Sequence, residues 1–320
     1  MKRFGLKILL FSLIVFAVSY LSIFLPDKGN EGNLLYAMKD KQAALEAVEG
    51  PRVITVGGSN VAFGINSQKM SVALDRPAIN MGVHAGLGLK YILDNLRPQI
   101  RKGDVVVVIP EYDHFWDKYP SLFYGEEVLL TMTLDVMPKD LEYVSAKQWS
   151  HLYRFLPTYI GKKYYYALKY MTSERTPKGQ HVAYQRKNVN AQGDIVGHLE
   201  MSNFEFPVKV EKDREINMDV IKYLNDFYMD CHAAGAEVYL AMTSFEQKSY
   251  FKSSESIKKL EKAMNERLDM PMLAPPARYR FSKDLFFDTP EHLNGLGRDI
   301  RTDYLIQDLE KARASQVKPS

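Results

Sequence analysis

The sequence DVVVVI at residues 104–109 decides the fold class of this chain. Its apolar residues are consecutive, whereas a strand with one solvent-facing side alternates apolar and polar residues. A strand that is hydrophobic on both faces is typical of the centre of a parallel sheet covered by helices. We therefore expect residues 104–109 to form a central parallel strand.

The sequence on either side alternates between predicted strands and predicted helices. This alternation predicts an α/β fold, a three-layer sandwich with a central parallel sheet over residues 51–315. Residues 116–210 are rich in aromatic residues and interrupt the alternation, so we expect an insertion near the carboxyl ends of the strands. The other predicted strands are 52–56, 77–80, 236–241 and 270–273, and the predicted helices are 87–100, 216–233, 253–268 and 296–312.

The first 25 residues carry a membrane signal. Lys2 and Arg3 precede an apolar run that ends at Pro26. About 20 such residues span a bilayer as a helix, and positive charge on the short N-terminal side keeps that end in the cytoplasm. A cleavable signal peptide has the same charged start, but no clear A-x-A cleavage site follows. We expect residues 1–25 to be an uncleaved single-pass anchor, residues 26–50 to be a stalk, and the globular domain to lie outside the cytoplasm.

The bulk composition excludes several classes of protein. Of the 320 residues, 46% are hydrophobic and 25% are charged, which argues against wholesale disorder. A net charge of +3 without a basic, aromatic stripe gives no reason to expect a nucleic-acid partner. Cys231 is the only cysteine, so it has no internal disulfide partner, and no Cys/His spacing predicts a zinc site. We expect Cys231 to be buried, and neither a metal nor an organic cofactor is implied.

Two polar loops supply a candidate catalytic pair. The sequence VGGSN at 56–60 follows a predicted strand, and its glycines allow a sharp turn that exposes Ser59 at the start of a helix. Backbone N–H groups at that point can stabilise an oxyanion, although the serine could equally be an N-cap.

The second loop is DTPEHLN at 288–294, just before the last predicted helix. His292 could reach across the strand ends, and Asp288 or Glu291 could orient its imidazole as the third member of a triad. Alternatively, the loop is a capping turn in which Asn294 caps the final helix.

These two blocks together resemble the SGNH/GDSL hydrolase superfamily, over roughly residues 50–315. The resemblance implies that Ser59 is the nucleophile and that Asp288 and His292 are its partners. It also implies that the backbone N–H groups of Ser59 and of Gly82, which follows the second strand in NMG, form the oxyanion hole. The sequence NAQGD at 190–194 is similar to a turn in cell-envelope members of this group.

Two features depart from the family pattern. The central strand is followed by IPEYD at 109–113, without the asparagine that usually completes the oxyanion hole. This variant resembles envelope proteins linked to polysaccharide acylation or teichoic-acid alanylation, and the loss of one donor can cost about 10²-fold in rate. The usual Asp-x-x-His spacing is one residue longer here, which Pro290 could absorb or which could orient Asp288 less well.

Further residues are candidates for contacts with substrate. Asn60 directly follows the nucleophile. Glu111 could bind a substrate hydroxyl or accept hydrogen bonds from loop N–H groups. His84 could face the same cleft or be a hydrogen-bonded structural residue. The tyrosines between 153 and 170, with Trp149, suit stacking on sugars, a membrane interface or the packing of a helical subdomain.

Two functional hypotheses follow. The first is a serine-dependent O-acyl esterase or O-acyltransferase in a bacterial cell envelope, acting on an acylated polysaccharide or cell-wall glycan. A membrane acyltransferase is a further candidate partner. The second is a catalytically weak SGNH-like protein that binds glycan or serves envelope assembly. The joint presence of Ser59 and His292 favours the first hypothesis, and the missing asparagine and longer spacing favour the second.

Overall fold

The computed structural model describes residues 2–25, 30–116, 122–169, 179–211 and 214–317. Within these residues the main sheet has four parallel strands in the order β2-β1-β3-β4. The strands are β1 at Val53–Gly57, β2 at Ala78–Asn80, β3 at Val105–Ile109 and β4 at Glu237–Leu240. The predicted α/β class with a central parallel sheet is confirmed.

Protein covers both faces of this sheet. Every residue of β1 and β3 is buried, and successive side chains of a strand point to opposite faces. The valine run at 105–108 therefore packs on both sides, as its uninterrupted apolar pattern predicted. The predicted strand at 270–273 is reduced to a single parallel bridge between Leu240 and Met272, because Pro271 has no N–H with which to extend the ladder.

Helices surround the strands, and a second, two-stranded parallel sheet pairs β5 at Phe245–Glu246 with β6 at Arg280–Phe281. In chain order the helices are α1 at Lys2–Ile23, α2 at Ala37–Ala47, α3 at Ser59–Gly64, α4 at Ser67–Leu74, α5 at Leu89–Leu96, α6 at Glu127–Thr131, α7 at Ala146–Leu152, α8 at Leu156–Lys169, α9 at Met218–Ala233, α10 at Gln247–Lys252, α11 at Ser254–Arg267 and α12 at Gly295–Val317.

Two details of the helices follow from single residues. α5 is shorter than the predicted helix at 87–100 because Pro98 cannot donate a backbone hydrogen bond, and the chain continues there as one 3₁₀ turn, Arg97–Gln99. Cys231 lies on α9 and is buried, as expected.

The segment that we expected to be a stalk packs against the domain, and the insertion shares the same core. The described part of residues 26–50, the predicted stalk, contains α2, whose Met38 and Leu45 side chains are buried in the main core. The insertion contributes Leu129 and Leu130 of α6 to the same core. Each buried side chain of this kind removes apolar surface from water and stabilises the packing by about 1.5–3 kcal/mol.

α1 is the membrane candidate. Among the described residues it is the one helix long and apolar enough to cross a bilayer, over Arg3–Ile23, and its large apolar side chains are exposed. Length and composition of this kind are shared by membrane anchors and signal sequences.

A buried ion pair ties the start of β1 to the start of β3. Arg52 and Asp104 are both fully buried, with 2.5 Å between Arg52 Nη2 and Asp104 Oδ2. The guanidinium also donates to the carbonyl oxygens of Leu45, near the end of α2, and of Gln99, after α5. One side chain therefore joins four segments at the end of the sheet where β1 and β3 begin.

We expect Arg52→Met to lower the free energy of unfolding by about 3–5 kcal/mol, because Asp104 would keep a buried charge without its partner. Denaturant unfolding of the full chain in detergent measures the change. Lys222→Met removes the exposed Lys222–Asp226 pair on α9 and, as the control, should change stability by about 0–1 kcal/mol. An equally small effect of both substitutions would mean that the buried pair does not hold the two strands.

Candidate active site

Two glycines shape the turn that presents Ser59. A Cβ on Gly57 would lie 2.3 Å from the carbonyl oxygen of Ile109 in β3, and a Cβ on Gly58 would lie 2.5 Å from Glu111 Oε1. Because neither residue carries a side chain, the backbone can pass close to β3 and then enter α3 at Ser59. Ser59 keeps partial contact with solvent at the carboxyl end of β1.

Ser59 and His292 come together from distant parts of the chain. Ser59 Oγ lies 2.8 Å from His292 Nε2, across 233 positions of sequence. On the other side of the ring, His292 Nδ1 lies 2.8 Å from Asp288 Oδ1. The order of hydroxyl, imidazole and carboxylate is that of a serine triad, in which the carboxylate holds the tautomer that accepts the hydroxyl proton.

A tight turn absorbs the extra residue between Asp288 and His292. Thr289 Oγ1 accepts hydrogen bonds from the backbone N–H of His292 at 3.0 Å and of Glu291 at 3.3 Å. The Glu291 side chain instead bonds to Lys209, with 2.8 Å between Oε2 and Nζ. Asp288 is therefore the carboxylate that orients the imidazole, despite the longer spacing.

The same loop also begins the last helix. Asn294 Oδ1 accepts a hydrogen bond from Gly297 N–H at 3.0 Å, in the first turn of α12. The capping role considered for this loop is therefore present together with the triad contact.

Tyr184 is a member of the site that sequence reasoning missed. Its hydroxyl donates to Asp288 Oδ2 at 2.6 Å, and its oxygen lies 3.0 Å from His292 Nδ1. Phe63 stacks on the His292 ring, with 4.5 Å between the centroids and 9° between the planes. Tyr184 lies in the insertion, far in sequence from both motifs, and no local pattern distinguishes it among the 20 tyrosines of the chain.

Hydrogen bonding keeps Asp288 ionised. Burial alone would raise the pKa of its carboxyl group, but hydrogen bonds from His292 and Tyr184 outweigh burial and hold the pKa below its usual value. Burial and the charge of Asp288 together raise the pKa of Tyr184 far above its usual value, so its hydroxyl remains a donor. A charged Asp288 favours the imidazolium that forms when His292 accepts a proton.

Glu111 lies directly against Ser59. Its Oε1 accepts hydrogen bonds from Ser59 Oγ at 3.3 Å and from the backbone N–H of Asn60 at 3.2 Å. The single hydroxyl proton of Ser59 thus has two acceptors, of which His292 is the nearer. Glu111 therefore accepts a hydrogen bond from a loop N–H, which is one of the two roles considered for it, and also borders the Ser59 hydroxyl.

The Asn60 side chain is buried and turned into the protein. Its amide nitrogen donates to the carbonyl oxygen of Ile109 at 3.1 Å and to Thr243 Oγ1 at 3.0 Å. These bonds fasten the first turn of α3 to the end of β3 and to the loop after β4. The placement gives Asn60 a structural role, in contrast to the substrate contact that we predicted for it.

Gly82 is not placed as the family resemblance implied. Its N–H donates to Asn80 Oδ1 at 2.9 Å, and a Cβ on Gly82 would lie 2.6 Å from Ala62 N. Gly82 therefore packs against α3 with its N–H already engaged. Ala85 N lies near the turn before Ser59, 3.0 Å from the position that a Cβ on Gly58 would occupy.

A buried lysine holds the loop after β2. Lys41 Nζ, on α2, donates to the carbonyl oxygens of Asn80 at 3.1 Å, of Gly193 at 2.6 Å and of Gly82. Burial lowers the pKa of Lys41 to about 7, although nearby Asp194 favours the charged form. Asp194 also accepts a hydrogen bond from Asn80 Nδ2 at 3.0 Å, so the turn at 190–194 supports this loop.

His84 lies in the electrostatic field of the triad. Its Nδ1 accepts a hydrogen bond from Gly86 N–H at 2.9 Å. The ring reaches solvent, but desolvation by the protein around it, together with nearby His292, lowers its pKa to about 4. The lowered pKa favours the neutral ring, and the bond from Gly86 N–H is the structural role considered for His84.

The aromatic cluster of the insertion divides into packed and exposed rings. Tyr159 is buried and donates to Asp135 Oδ1 at 2.9 Å. Tyr164 donates to the carbonyl oxygen of Val18, on α1, at 2.9 Å. Other members, among them Trp149, Tyr153 and Tyr165, are exposed, and Tyr170 lies outside the described residues.

Comparisons with known proteins add no family assignment. No protein-family model matches the chain, and a search of curated proteins finds no match either. Across the described ranges, no group of three or more His, Cys, Asp or Glu side chains is placed to hold a metal ion. The geometry of the triad is therefore the basis for assigning a function.

Ser59 should react covalently with a fluorophosphonate probe, because a hydroxyl hydrogen-bonded to an imidazole is an activated nucleophile. We expect labelling of the full chain at residue 59, read by gel fluorescence and peptide mass mapping, and none in Ser59→Ala. Tyr184→Phe should slow labelling by about ten-fold, since it removes one hydrogen bond to a charged group worth ~1.5 kcal/mol.

The matched control for this labelling is Ser150→Ala, which removes an exposed serine of α7 and should label as the wild type does. Labelling that persists in Ser59→Ala would show that another residue is the reactive one.

Proposed function

We propose that this chain is a serine-dependent O-acyl esterase or O-acyltransferase acting on an acylated polysaccharide or cell-wall glycan outside the cytoplasm. The observation that carries the proposal is the 2.8 Å contact between Ser59 Oγ and His292 Nε2, with Asp288 Oδ1 2.8 Å from Nδ1 of the same ring. The resemblance of the same residues to the SGNH/GDSL hydrolase superfamily supports the same chemistry.

The reaction would use the triad in two half-reactions. Ser59 Oγ attacks the acyl carbonyl while His292 Nε2 takes its proton, and the imidazolium then returns that proton to the leaving oxygen. In the second half, water or a sugar hydroxyl gives a proton to His292 and attacks the acyl-serine, and the imidazolium returns that proton to Ser59 Oγ as the bond between Oγ and the acyl group breaks. Asp288 stays ionised throughout and stabilises the imidazolium.

The oxyanion would be stabilised by backbone donors. The Ser59 N–H stands at the first position of α3, and Ala85 N lies beside the same turn. Glu111 lies after the central strand, where the family usually has an asparagine donor, and its carboxylate bonds as an acceptor. Its negative charge opposes a developing oxyanion, so we expect slower turnover than with a complete set of donors, by about 10²-fold.

The substrate class is inferred from the position of the domain and from the groups beside Ser59. α1, with its basic N-terminal end, would hold the domain on the outer side of the membrane, where the acylated glycans of a cell envelope lie. A carboxylate at Glu111 and a neutral imidazole at His84 are groups that hydrogen-bond sugar hydroxyls. Hydrolysis and transfer would share one acyl-enzyme, and a membrane acyltransferase is a proposed partner for the transfer.

A second candidate function is a glycan-binding or assembly protein with little or no turnover. The observation that favours it is the Glu111 carboxylate, 3.3 Å from Ser59 Oγ, where a catalytic site gains from a donor. Fold alone does not decide between these functions, because an SGNH-like scaffold can keep its triad geometry while serving another purpose.

Hydrolysis of p-nitrophenyl acetate by the full chain tests the proposal. We expect release of p-nitrophenol by the wild type and a fall in kcat of about 10³-fold or more in Ser59→Ala and in His292→Ala, because the triad members act as one unit. His232→Ala removes an exposed histidine of α9 and should leave the rate unchanged.

Turnover that survived both triad substitutions would contradict serine chemistry at this site. If all variants were folded and equally inactive, the assembly function would be favoured. Addition of a sugar acceptor then separates the remaining cases, because a transferase would form an acetylated sugar at the expense of free acetate.

A further inference from the structure

Helix α8 is fixed to the domain and to α1 along two adjoining faces. On the domain side, Lys163 Nζ lies 3.1 Å from Asp135 Oδ1 and both side chains are nearly buried. On the α1 side, the Tyr164 hydroxyl donates to the carbonyl oxygen of Val18 at 2.9 Å. These contacts fix the rotation of α8, and with it the direction in which its third face points.

The third face of α8 is exposed and combines large apolar and aromatic side chains with Lys162 and Lys169. Tyr165 is 55% exposed and Leu168 is 70% exposed. They lie three residues apart and therefore share one side of the helix. Trp149, within α7, and Tyr153, directly after its last residue, are further exposed rings of the insertion. Large apolar side chains exposed on a helix that contacts α1 indicate a surface for interaction.

The groove between α1 and the domain is lined mainly by apolar side chains. It has a volume of about 510 Å³ and is open on one side. Its walls come from one face of α1 and from the insertion, and include Phe11, Val15, Tyr20, Leu134, Leu156 and Tyr159. Leu156, the first residue of α8, thus links the groove to the helix that carries the exposed face.

The hydrogen bond between Tyr164 and Val18 places α8 near one end of α1. Val18 is five residues before Ile23, the last residue of α1, which corresponds to about 7.5 Å along the helix axis. The basic residues of α1 lie at the opposite end. If α1 spans a bilayer, Tyr164 lies about one and a half turns inside the non-cytoplasmic end, where hydrocarbon meets the headgroups.

We propose that the exposed face of α7 and α8 lies in the interfacial region of the non-cytoplasmic membrane leaflet, beside α1. The hydrocarbon that covers α1 would also fill the groove and cover Leu168. Tyrosine, tryptophan and lysine are the residues that anchor proteins at this depth, and Lys169 Nζ lies 5.3 Å from the centre of the Tyr165 ring. The inference rests on the membrane anchoring in the proposed function.

A bilayer fits this surface better than a protein partner does. The surface is continuous with α1, whose own side chains require hydrocarbon around them, so one occupant covers both. The consequence for function is a fixed distance between the catalytic domain and the membrane, because α8 is joined to the domain by buried contacts. The site would then act on glycan chains close to the membrane surface.

Quenching of tryptophan fluorescence by brominated lipid tests this placement on the full chain in phosphatidylcholine vesicles. Trp149→Phe provides the background, in which the remaining tryptophan, Trp116, is only 1% exposed. Leu168→Trp is then added as the probe. Phe16→Trp, in α1, tests the anchor separately, and Val72→Trp, at a 73% exposed position of α4, is the water-facing control.

We expect lipid brominated high on its acyl chains to remove most of the emission contributed by Trp at residues 168 and 16, and none of that at residue 72. Quenching at residue 16 but not at residue 168 would overturn the inference and leave the anchor intact. Absence of quenching at both positions would overturn the inference and the anchor together. The esterase measurement is independent of either result.

Discussion

β1 and β3 are paired along their whole length, from Val53 opposite Val105 to Gly57 opposite Ile109. At the last pair a Cβ would lie 2.3 Å from a carbonyl oxygen, so only glycine allows β1 to end there and α3 to begin with Ser59. The buried Arg52–Asp104 pair holds the other end of the same two strands. A shift of one residue would exchange the faces of all their side chains and would carry Ser59 away from His292.

His292 is held by a second set of constraints from three separate parts of the chain. Asp288 and Tyr184 both lie within hydrogen-bond distance of His292 Nδ1, and Phe63 of α3 stacks on the face of the imidazole. Lys41 of α2 binds three carbonyl oxygens around the loop after β2. A buried polar network of this kind is stable only when its members are satisfied together, so the segments expected to be a stalk and an insertion are part of the site's support.

The sequence predicted the features that local patterns encode. The valine run marked β3, and GGSN and DTPEHLN marked the two loops that the sheet brings together. Pro98 and Pro271 explain the two shortened elements, since each lacks an N–H. The places of Tyr184 and Lys41 were not predictable, because each contacts residues distant in sequence and belongs to a residue type with no local signal. The family pattern implied that the Gly82 N–H helps to form the oxyanion hole. In the structure this N–H donates to Asn80 Oδ1 instead.

Covalent acylation of Ser59 is the most direct test of the central claim. The full chain would be stopped with acid during turnover of p-nitrophenyl acetate, and its intact mass and peptide masses measured. The account predicts one added acetyl group, located on Ser59 and absent from Ser59→Ala. Release of p-nitrophenol with an acetyl group on a different residue, or at an unchanged rate in Ser59→Ala, would contradict it.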